Sequence, residues 1–388
     1  MIVVIADDFT GAAELAGIGL EHGLSVDIAI EQVDSSPETE MLVLATDTRS
    51  KGSGEAVDEL RALSTYLKSI PYSFLYKKVD SVMRGHILEE ILAITETLGI
   101  KGALLVPANP QLGRVIIEGH YYVNGKPLQE TSFSSDPDFN INTSSVRELI
   151  DRNGTDPSLL ITRPEDFTGD GKIVIGEASR SNDLDLWAEM LDERWLPVGA
   201  AGFFQSLLKK KGMMEVKKKD EIVLADLEGL LYICGSSFQG SRDQVKLASR
   251  RGPHVCYMPE GLFLKEANWE RALGEWIEEV ASAIGIHGKT IVAVSQEVSF
   301  SSRRASWIRM LFSMLAEALV ARDQVRELII EGGSTASAVL HKLGCLRLRP
   351  IQQVSQGVIL MRMEDRPGLR LTMKPGSYPW PDSVWNFK

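Results

Sequence analysis

The strongest constraint on the fold of this chain is a repeated alternation of short apolar segments with helical segments, in which many apolar segments end in a polar turn. The first apolar segment, Ile2–Ala6, is rich in β-branched residues, as buried strands are, and the helical stretch after it ends near Gly23. The same alternation restarts at Leu230–Cys234. Because successive parallel strands are joined by helical crossovers, this pattern predicts an α/β fold with mostly parallel sheets.

The length of 388 residues favours two domains, because single domains usually contain about 100–200 residues. A lysine-rich seam at residues 209–211 and 217–219, followed by two acids, separates the two halves of the pattern. We therefore predict a first α/β domain at residues 1–215 and a second at residues 220–388.

Two adjacent acids, Asp7 and Asp8, follow the first strand and precede the first helix. The helix dipole favours carboxylates at this position, and Thr10 is the expected N-cap. Two neighbouring carboxylates are costly to bury unless a cation accompanies them. The pair is therefore predicted to be the core of a functional site.

Three further strands of the first domain also end in polar or proline-containing turns, at Asp47–Arg49, Lys78–Ser81 and Pro107–Asn109. Open parallel sheets bind their ligands at the carboxyl ends of the strands, where these turns lie. We expect the acids to meet the cations of these turns, together with nearby Arg84, in one site that suits a small polar substrate.

The second domain carries glycine-containing turns after its strands. Gly332-Gly333-Ser334-Thr335 stands between a strand and the start of a helix, and Gly235-Ser236-Ser237 and Lys374-Pro375-Gly376 are two similar turns. Glycine lets backbone N–H groups approach a ligand closely, and serine and threonine add hydroxyl donors, which an anionic phosphate requires. These turns predict a cradle for a nucleotide or phosphate.

Several classes of function are disfavoured. The net charge of −11 disfavours general binding to nucleic acid or anionic membranes. The three cysteines are far apart and have no metal-binding spacing, which is typical of reduced thiols in a cytoplasmic protein. There is no leader-like segment and no apolar run of about 18 residues, so we expect a cytoplasmic location. Gly288-Lys289-Thr290 precedes a strand and lacks the leading glycine of a P-loop.

The order of these turns resembles the four-carbon acid sugar kinase family. The resemblance rests on short motifs that follow the family's order over almost the whole chain. They are Ala6–Ala12, Thr48-Arg49, Lys78–Ser81 with Arg84-Gly85, Pro107–Pro110 with Gly113-Arg114, Gly119–Gly125, Gly235-Ser236, Gly332–Thr335 and Lys374–Gly376. The resemblance implies a substrate domain, an ATP domain and an active site in the cleft between them.

It also implies transfer of the γ-phosphoryl group of ATP, with Mg²⁺, to a hydroxyl of a sugar acid such as D-threonate, D-erythronate or 3-oxo-tetronate. The implied substrate contacts are Asp7, Arg49, Lys78, Val79, Asp80, Ser81 and Arg84. The implied ATP contacts are Ser236, Ser237, Gly332, Gly333, Ser334, Thr335 and Gly376. We expect Asp7 or Asp8 to activate the attacking hydroxyl, and Arg49 and Lys78 to hold the substrate carboxylate, Arg49 through a bidentate contact.

Two positions depart from the family pattern. Phe238 stands where a second serine is common, and Pro379 replaces a final glycine, which removes one backbone N–H from the nucleotide side. Two other functions remain open: a sugar-acid oxidoreductase or aldolase, in which Lys78 forms a Schiff base, and a non-catalytic sugar-acid-binding protein. The sequence permits a homodimer through aromatic residues near its C-terminus, and it leaves open which acid and which hydroxyl react.

Overall fold

The computed structural model describes residues 1–30, 39–135, 141–151, 159–216, 228–236, 238–250, 252, 255–265, 267–295, 302–376, 378–385 and 387. It divides into two compact units, Met1–Lys217 and Lys218–Lys388. Each unit combines a largely parallel sheet with helices, which confirms the predicted α/β class. Among the described helices, none has both the length and the apolar character that crossing a membrane requires.

The first unit begins with the predicted strand and helix. Its strands are β1 (Ile2–Ala6), β2 (Val26–Ile30), β3 (Met41–Ala45), β4 (Phe74–Lys78), β5 (Gly102–Val106), β6 (Arg114–Ile117), β7 (His120–Val123), β8 (Lys126–Pro127), β9 (Leu159–Thr162), β10 (Ile173–Gly176) and β11 (Trp195–Gly199). Its helices are α1 (Phe9–Glu21), α2 (Ser53–Leu67), α3 (Ile87–Leu98), α4 (Val146–Ile150), α5 (Ser181–Met190) and α6 (Ala201–Lys210).

The main sheet of this unit has the strand order β2-β3-β1-β4-β11-β5-β10-β9, and its described pairs are all parallel. Strand β1 lies between β3 and β4, and Ala6 pairs with Ala45 on one side and with Lys78 on the other. The polar turns after these three strands therefore begin side by side. Because neighbouring strands are only about 4.8 Å apart, side chains from these turns can touch.

Strand β11 lies between β4 and β5 and is not evident from the sequence. It contains Pro197, which has no backbone N–H and is usually confined to edge strands. The strand pairs with β5 over five residues, but with β4 only through Val198 and Gly199. Its insertion separates the turn after β5 from the turn after β4, although the sequence predicts that these turns lie close together.

Helix α1 begins two residues earlier than its expected cap implies. Asp8, and not Thr10, is the N-cap: its backbone is extended, and its Oδ1 accepts a hydrogen bond of 2.8 Å from the N–H of Gly11. Aspartate and threonine are both good caps, so the sequence does not distinguish them strongly. Within the helix, a β-carbon at Gly19 would lie 2.6 Å from the Met41 sulfur, so the absence of a side chain at this position allows close packing.

The small sheet β6-β7-β8 is antiparallel and follows directly from the end of β5. Backbone hydrogen bonds join Asn109 and Arg114 in both directions, at 2.8 and 3.1 Å, so the turn after β5 leads immediately into β6. Helix α4 lies in a segment rich in serine, threonine, asparagine and aspartate, which does not have a helical pattern in the sequence. It is short and begins at the N-cap Ser145, whose side chain accepts a hydrogen bond from the N–H of Glu148.

The second unit repeats the alternation of strands and helices. Its strands are β12 (Leu230–Cys234), β13 (Val255–Tyr257), β14 (Lys289–Ala293), β15 (Glu327–Glu331), β16 (Arg347–Ser355), β17 (Val358–Met363) and β18 (Arg370–Lys374). Its helices are α7 (Gln239–Arg250), α8 (Glu260–Phe263), α9 (Trp269–His287), α10 (Ser302–Ala321) and α11 (Gly333–Leu343).

The sheet of the second unit has the order β13-β14-β12-β15-β18-β17-β16. The pairs from β13 to β18 are parallel, whereas β18, β17 and β16 are joined antiparallel. Strand β16 is absent from the sequence prediction because Pro350 and two register shifts interrupt its alternation of apolar and polar residues. The parallel part places the carboxyl ends of β12, β15 and β18 next to one another.

The aromatic residues near the C-terminus belong to the interior of this unit. Trp380 and Phe387 are buried, and the ring of Tyr232 on β12 contacts those of Trp385 and Phe387 at centroid distances of 5.6 and 4.9 Å. The hydroxyl of Tyr232 donates a hydrogen bond of 2.9 Å to the Val384 carbonyl. Trp380 and Phe387 are therefore not exposed surface for a homodimer, and the homodimer itself stays a prediction.

Candidate active site

The turns after β1 and β3 bring two acids and one arginine together. Arg49 donates from Nε and Nη2 to the two carboxylate oxygens of Asp7, both at 2.9 Å, and from Nη1 to Oδ2 of Asp8 at 2.8 Å. The turn itself is fixed by a backbone hydrogen bond of 3.1 Å from the N–H of Arg49 to the Asp7 carbonyl. The cation that the adjacent acids require is thus Arg49. Its bidentate partner is Asp7, and not a substrate carboxylate as predicted from the sequence.

The turn after β4 adds a third carboxylate to the same cluster. Arg84 donates to both oxygens of Asp80, at 2.8 and 2.9 Å, and the N–H groups of Val82 and Arg84 also point to this side chain. Nη1 of Arg49 lies 3.6 Å from Oδ1 of Asp80, so it connects the two groups of acids. Asp80 therefore pairs with Arg84.

The arginines keep the buried acids of this cluster ionised. Burial by itself raises the pKa of Asp7, but Arg49, Lys77 and Lys78 outweigh it, and the pKa is lowered. Burial also raises the pKa of Asp80, yet Arg84 and Arg49 hold it well below the ordinary value. The carboxylate of Asp8 is the most accessible of the three, with 18% of its side chain exposed, against 3% for Asp7 and 9% for Asp80.

Lys78 lies beside the cluster with its ammonium group buried. Its Nζ is 3.4 Å from the Glu14 carboxylate and donates a hydrogen bond of 3.1 Å to the Val79 carbonyl. A β-carbon at Gly11 would lie 3.1 Å from this Nζ, so the glycine after the acid pair makes room for the lysine. The side chain of Val79 is buried, and only its backbone carbonyl takes part in these contacts.

Arg114 extends the cluster and was not among the candidate site residues. It lies at the start of β6 and donates from Nη1 to the hydroxyl of Ser81. Its guanidinium also lies over the ring of Phe133, 5.6 Å from the centroid, and Arg84 lies 5.9 Å from the same centroid. The sequence signal was present in the Gly113-Arg114 motif, but nothing in the sequence connects residue 114 with residue 81.

The turn after β3 carries a second charged residue, Asp47, which contacts its own turn. Asp47 adopts a left-handed backbone conformation, with φ of 53°, and its carboxylate accepts a hydrogen bond of 3.0 Å from the Ser50 hydroxyl. The turn after β5 contributes through Asn109, whose backbone positions Arg114. Of the four strand ends expected to converge, three therefore supply the acids and arginines, and the fourth supplies the neighbouring arginine.

In the second unit, the three glycine-containing turns lie next to one another. A β-carbon at Gly235 would lie 3.6 Å from the Thr335 hydroxyl, and one at Gly376 would lie 3.1 Å from the Ser236 hydroxyl. Gly332 has a φ of 94° and is the N-cap of α11, with no side-chain cap. The first N–H groups of this eleven-residue helix thus need other partners, as in helix termini that bind anions. Ser334 is exposed and Ser237 lies outside the described residues.

A buried ion pair lies beneath these turns. The carboxylate of Glu331, at the end of β15, contacts the ammonium group of Lys374, at the end of β18, at 2.5 Å. It also accepts a hydrogen bond from the hydroxyl of Ser241 on α7, and that hydroxyl lies 3.3 Å from the Gly376 carbonyl. Burial and the charge of Glu331 raise the pKa of Cys234 on the neighbouring strand, so its thiol stays protonated.

A small, partly open pocket lies beside the same turns, within the second unit. Ser236, Arg242, Tyr257 and Val294 are among the residues that line it, so it offers hydroxyl groups, a guanidinium and apolar surface together. Phe238, one of the two departures from the family pattern, is exposed and donates its backbone N–H to the Ser236 hydroxyl at 3.2 Å. Pro379, the other departure, is also exposed.

The two units match two family models. One, described as a sugar-binding N-terminal domain, matches residues 2–207, and the other, described as a nucleotide-binding C-terminal domain, matches residues 231–378. The chain is also similar to the D-threonate kinase of Salmonella typhimurium (26% identity; 93% of this chain and 83% of the relative) and to the 3-oxo-tetronate kinase of Methylobacterium radiotolerans (26%; 96% and 95%). The chain belongs to the four-carbon acid sugar kinase family.

A solved structure of a Haemophilus influenzae protein has the same fold, with a TM-score of 0.74 over 99% of this chain and 98% of that one, at 20% identity. Within the four-carbon acid sugar kinase family, the acid–arginine cluster of this chain falls in the region matched by the sugar-binding model. The glycine-containing turns and the pocket beside them fall in the region matched by the nucleotide-binding model.

Proposed function

We propose that this chain is an ATP-dependent kinase that phosphorylates a hydroxyl group of a four-carbon sugar acid. The observation that carries the proposal is the similarity, across both units, to relatives named D-threonate kinase and 3-oxo-tetronate kinase. The geometry supports it, because one unit holds charged side chains suited to a sugar acid and the other holds turns suited to phosphates. No observation favours an oxidoreductase, an aldolase or a non-catalytic binding protein.

On the substrate side, we assign to the carboxylate of Asp8 the role of orienting and deprotonating the substrate hydroxyl that attacks ATP. Asp8 is the most accessible acid of the cluster, although Arg49 and the N–H of Gly11 hold its orientation. Asp7 has both oxygens held by Arg49 and instead fixes that arginine in place. In phosphoryl transfer, positioning and neutralisation of charge provide most of the rate, so a firmly oriented carboxylate suits this role.

We assign the other substrate contacts to residues of the same turns. They are Lys78, Asp80, Ser81 and Arg84, with the backbone at Val79, and the contacts of these residues with one another and with their neighbours hold them in place before the substrate binds. Such preorganisation favours catalysis because the charged groups need not reorient during the reaction. Arg49 and Lys78 supply positive charge near an acidic substrate.

On the nucleotide side, we assign the phosphates of ATP to the turns Gly235-Ser236, Gly332–Thr335 and Gly376. The N-terminus of α11 provides free N–H groups and a favourable dipole, and Thr335 and Ser236 provide hydroxyl groups. Magnesium enters as part of the MgATP substrate, held mainly by phosphate oxygens and water, as is usual for this ion. The described residues contain no group of three or more His, Cys, Asp or Glu side chains arranged for a metal.

The test is an assay of ADP release with a panel of acids that differ in length and oxidation state. The purified chain is mixed with MgATP and, separately, with D-threonate, D-erythronate, 3-oxo-tetronates, three- and five-carbon sugar acids and the uncharged tetritols. We expect ADP release to depend on a four-carbon acid, with a matching phosphorylated product by mass spectrometry. ADP release at the same rate with every compound, or with none, would contradict the proposal.

Three finer expectations stay predictions. They are the location of the reaction site between the two domains, a homodimeric state and a cytoplasmic location. The domain limits of residues 1–215 and 220–388 also stay predictions. Which four-carbon acid and which hydroxyl react are questions for the substrate panel.

A further inference from the structure

The charged cluster of the first unit contains arginines of two kinds. Arg49 and Arg84 are each engaged by carboxylates of the protein, through Asp7 and Asp8 in one case and Asp80 in the other. Arg114 is not. Over the part of the chain that the structure describes, its polar contact is the neutral hydroxyl of Ser81, and no carboxylate lies within ion-pair distance.

The surroundings of Arg114 hold its guanidinium in a fixed position. Its backbone is tied to Asn109 at the end of β5, Nη1 donates to Ser81, and one face of the group lies over the Phe133 ring. The side chain is partly buried. Such a group is stabilised by an anion, and a planar carboxylate that accepts two parallel hydrogen bonds matches it best.

Arg114 also lies at a suitable place relative to the acids. Ser81, which it contacts, directly follows Asp80, and the Phe133 ring that it covers also contacts Arg84, the partner of Asp80. The guanidinium therefore borders the acid–arginine cluster without being neutralised by it. A small molecule with a carboxylate at one end and hydroxyl groups at the other would find a cation and a set of anions within the same unit.

We propose that Arg114 binds the carboxylate of the sugar acid and thereby selects acids over neutral sugars. The proposal rests on the proposed kinase function, and it reassigns the carboxylate contact from Arg49 to Arg114. The reason is that the donors of Arg49 already serve Asp7 and Asp8, so that a substrate carboxylate would have to displace an internal partner. Arg49 then acts as a positioning residue for the two acids.

The test compares Arg114→Ala and Arg114→Lys with the wild type, using the preferred acid and its uncharged amide. For Arg114→Ala we expect the KM for the acid to rise at least tenfold, a smaller change in kcat, and loss of the preference for acid over amide. Arg114→Lys should restore part of this preference, because lysine keeps the charge but not the bidentate geometry. Arg163→Ala, which removes an exposed arginine paired with Asp166, is the matched control and should behave as wild type.

Binding is measured alongside turnover, by calorimetric titration of the acid without ATP. An unchanged ATP-induced thermal shift in Arg114→Ala shows that the variant is folded. Acid affinity and acid-over-amide preference that survive this substitution overturn the Arg114 assignment, whether or not phosphoryl transfer occurs. Acid binding that depends on Arg114, in a wild-type protein that releases no ADP, supports the assignment and overturns the kinase function. A wild-type protein that binds no four-carbon acid overturns both.

Discussion

Asp7 and Asp8 are neighbours in the sequence, but their carboxylates have different surroundings. Asp7 is buried with both oxygens on Arg49, whereas Asp8 is more exposed and shares its oxygens between Arg49 and the start of α1. We predict that Asp8→Asn lowers kcat by a factor of roughly 10²–10⁴, the usual contribution of a positioned acid–base group, with little change in stability. Turnover is followed as ADP release at saturating MgATP.

The companion prediction concerns stability. Asp7→Asn leaves the buried Arg49 without its bidentate anionic partner, so the free energy of unfolding should fall by about 3 kcal/mol, as when one member of a buried ion pair is removed. Denaturant titration measures this change, and Asp166→Asn, at an exposed acid, is the control. If Asp8→Asn turns over like wild type, or Asp7→Asn is as stable as wild type, the division of roles between these two acids is wrong.

The pH dependence of stability follows from the lowered pKa of Asp80. Arg84 and Arg49 hold the folded-state pKa well below the unfolded value of 3.8, despite the opposing effect of burial. The stability that Asp80 contributes is therefore complete above this unfolded pKa and is lost as the pH falls towards the folded one. We predict that the unfolding free energy of wild type falls more steeply below pH 4 than that of Asp80→Asn, by up to about 1.4 kcal/mol per pH unit. Parallel curves from urea titrations between about pH 2 and pH 6 would contradict this prediction.

At the scale of elements, a buried ion pair joins strand β4 to helix α3. The Nζ of Lys77 lies 2.5 Å from the Glu90 carboxylate, and both side chains are almost fully buried. Lys77 precedes Lys78 and therefore points to the opposite face of the strand, where it meets α3. This pair fixes the helix against the strand that carries the turn with Asp80.

We predict that Lys77→Met and Glu90→Leu each lower the free energy of unfolding by about 3–5 kcal/mol, because each leaves one buried charge without a partner. The double variant should recover most of that loss, since an apolar pair of similar volume replaces both charges. A double-mutant cycle with urea unfolding measures the interaction between the two positions. Losses in the double variant that equal the sum of the single losses would show that the two charges do not depend on each other.

The elements differ in how well the sequence predicts them, and the reason is physical. Strands such as β1 and β12 are continuous apolar runs flanked by helical segments, so a local pattern suffices. Strands β11 and β16 contain Pro197 and Pro350, and they form because the surrounding strands supply hydrogen bonds and burial that a local pattern does not contain. The N-cap at Asp8 is not predicted for a different reason: two good capping residues, Asp8 and Thr10, lie within one turn, and the local sequence does not distinguish them.

The candidate site is also only partly predictable from the sequence. The sequence indicates that Asp7 and Asp8 need a cation and that strand ends collect polar residues, and Arg49 occupies that place in the structure. It does not reveal that Arg49 is saturated by these acids, because that depends on side-chain geometry. It also gives no reason to connect Arg114 with Ser81, which are 33 residues apart and meet only through the hairpin after β5.

At the scale of the whole molecule, each unit has its own strands and its own set of polar turns, and each set of turns suits a different ligand. If the proposed function is right, the two ligands should therefore stabilise different segments of the chain. A ligand that binds only the folded state stabilises the region that it contacts and slows local opening there. Hydrogen exchange read by mass spectrometry locates such protection along the intact chain.

We predict that a four-carbon acid alone slows exchange at the turns after β1, β3 and β4 and at the start of β6. A non-hydrolysable MgATP analogue alone should slow exchange at the N-terminus of α11 and at the turn before α7. The physical reason is that hydrogen exchange at these turns requires local opening of the backbone that holds the ligand. Opening must then also break the contacts with the ligand, so the binding free energy adds to the free energy of opening. Arg114→Ala should remove the protection by the acid and leave that by the analogue, whereas Arg163→Ala should keep both. Protection by the acid in the second unit, or by the analogue at the acid–arginine cluster, would mean that the two ligands have been assigned to the wrong units.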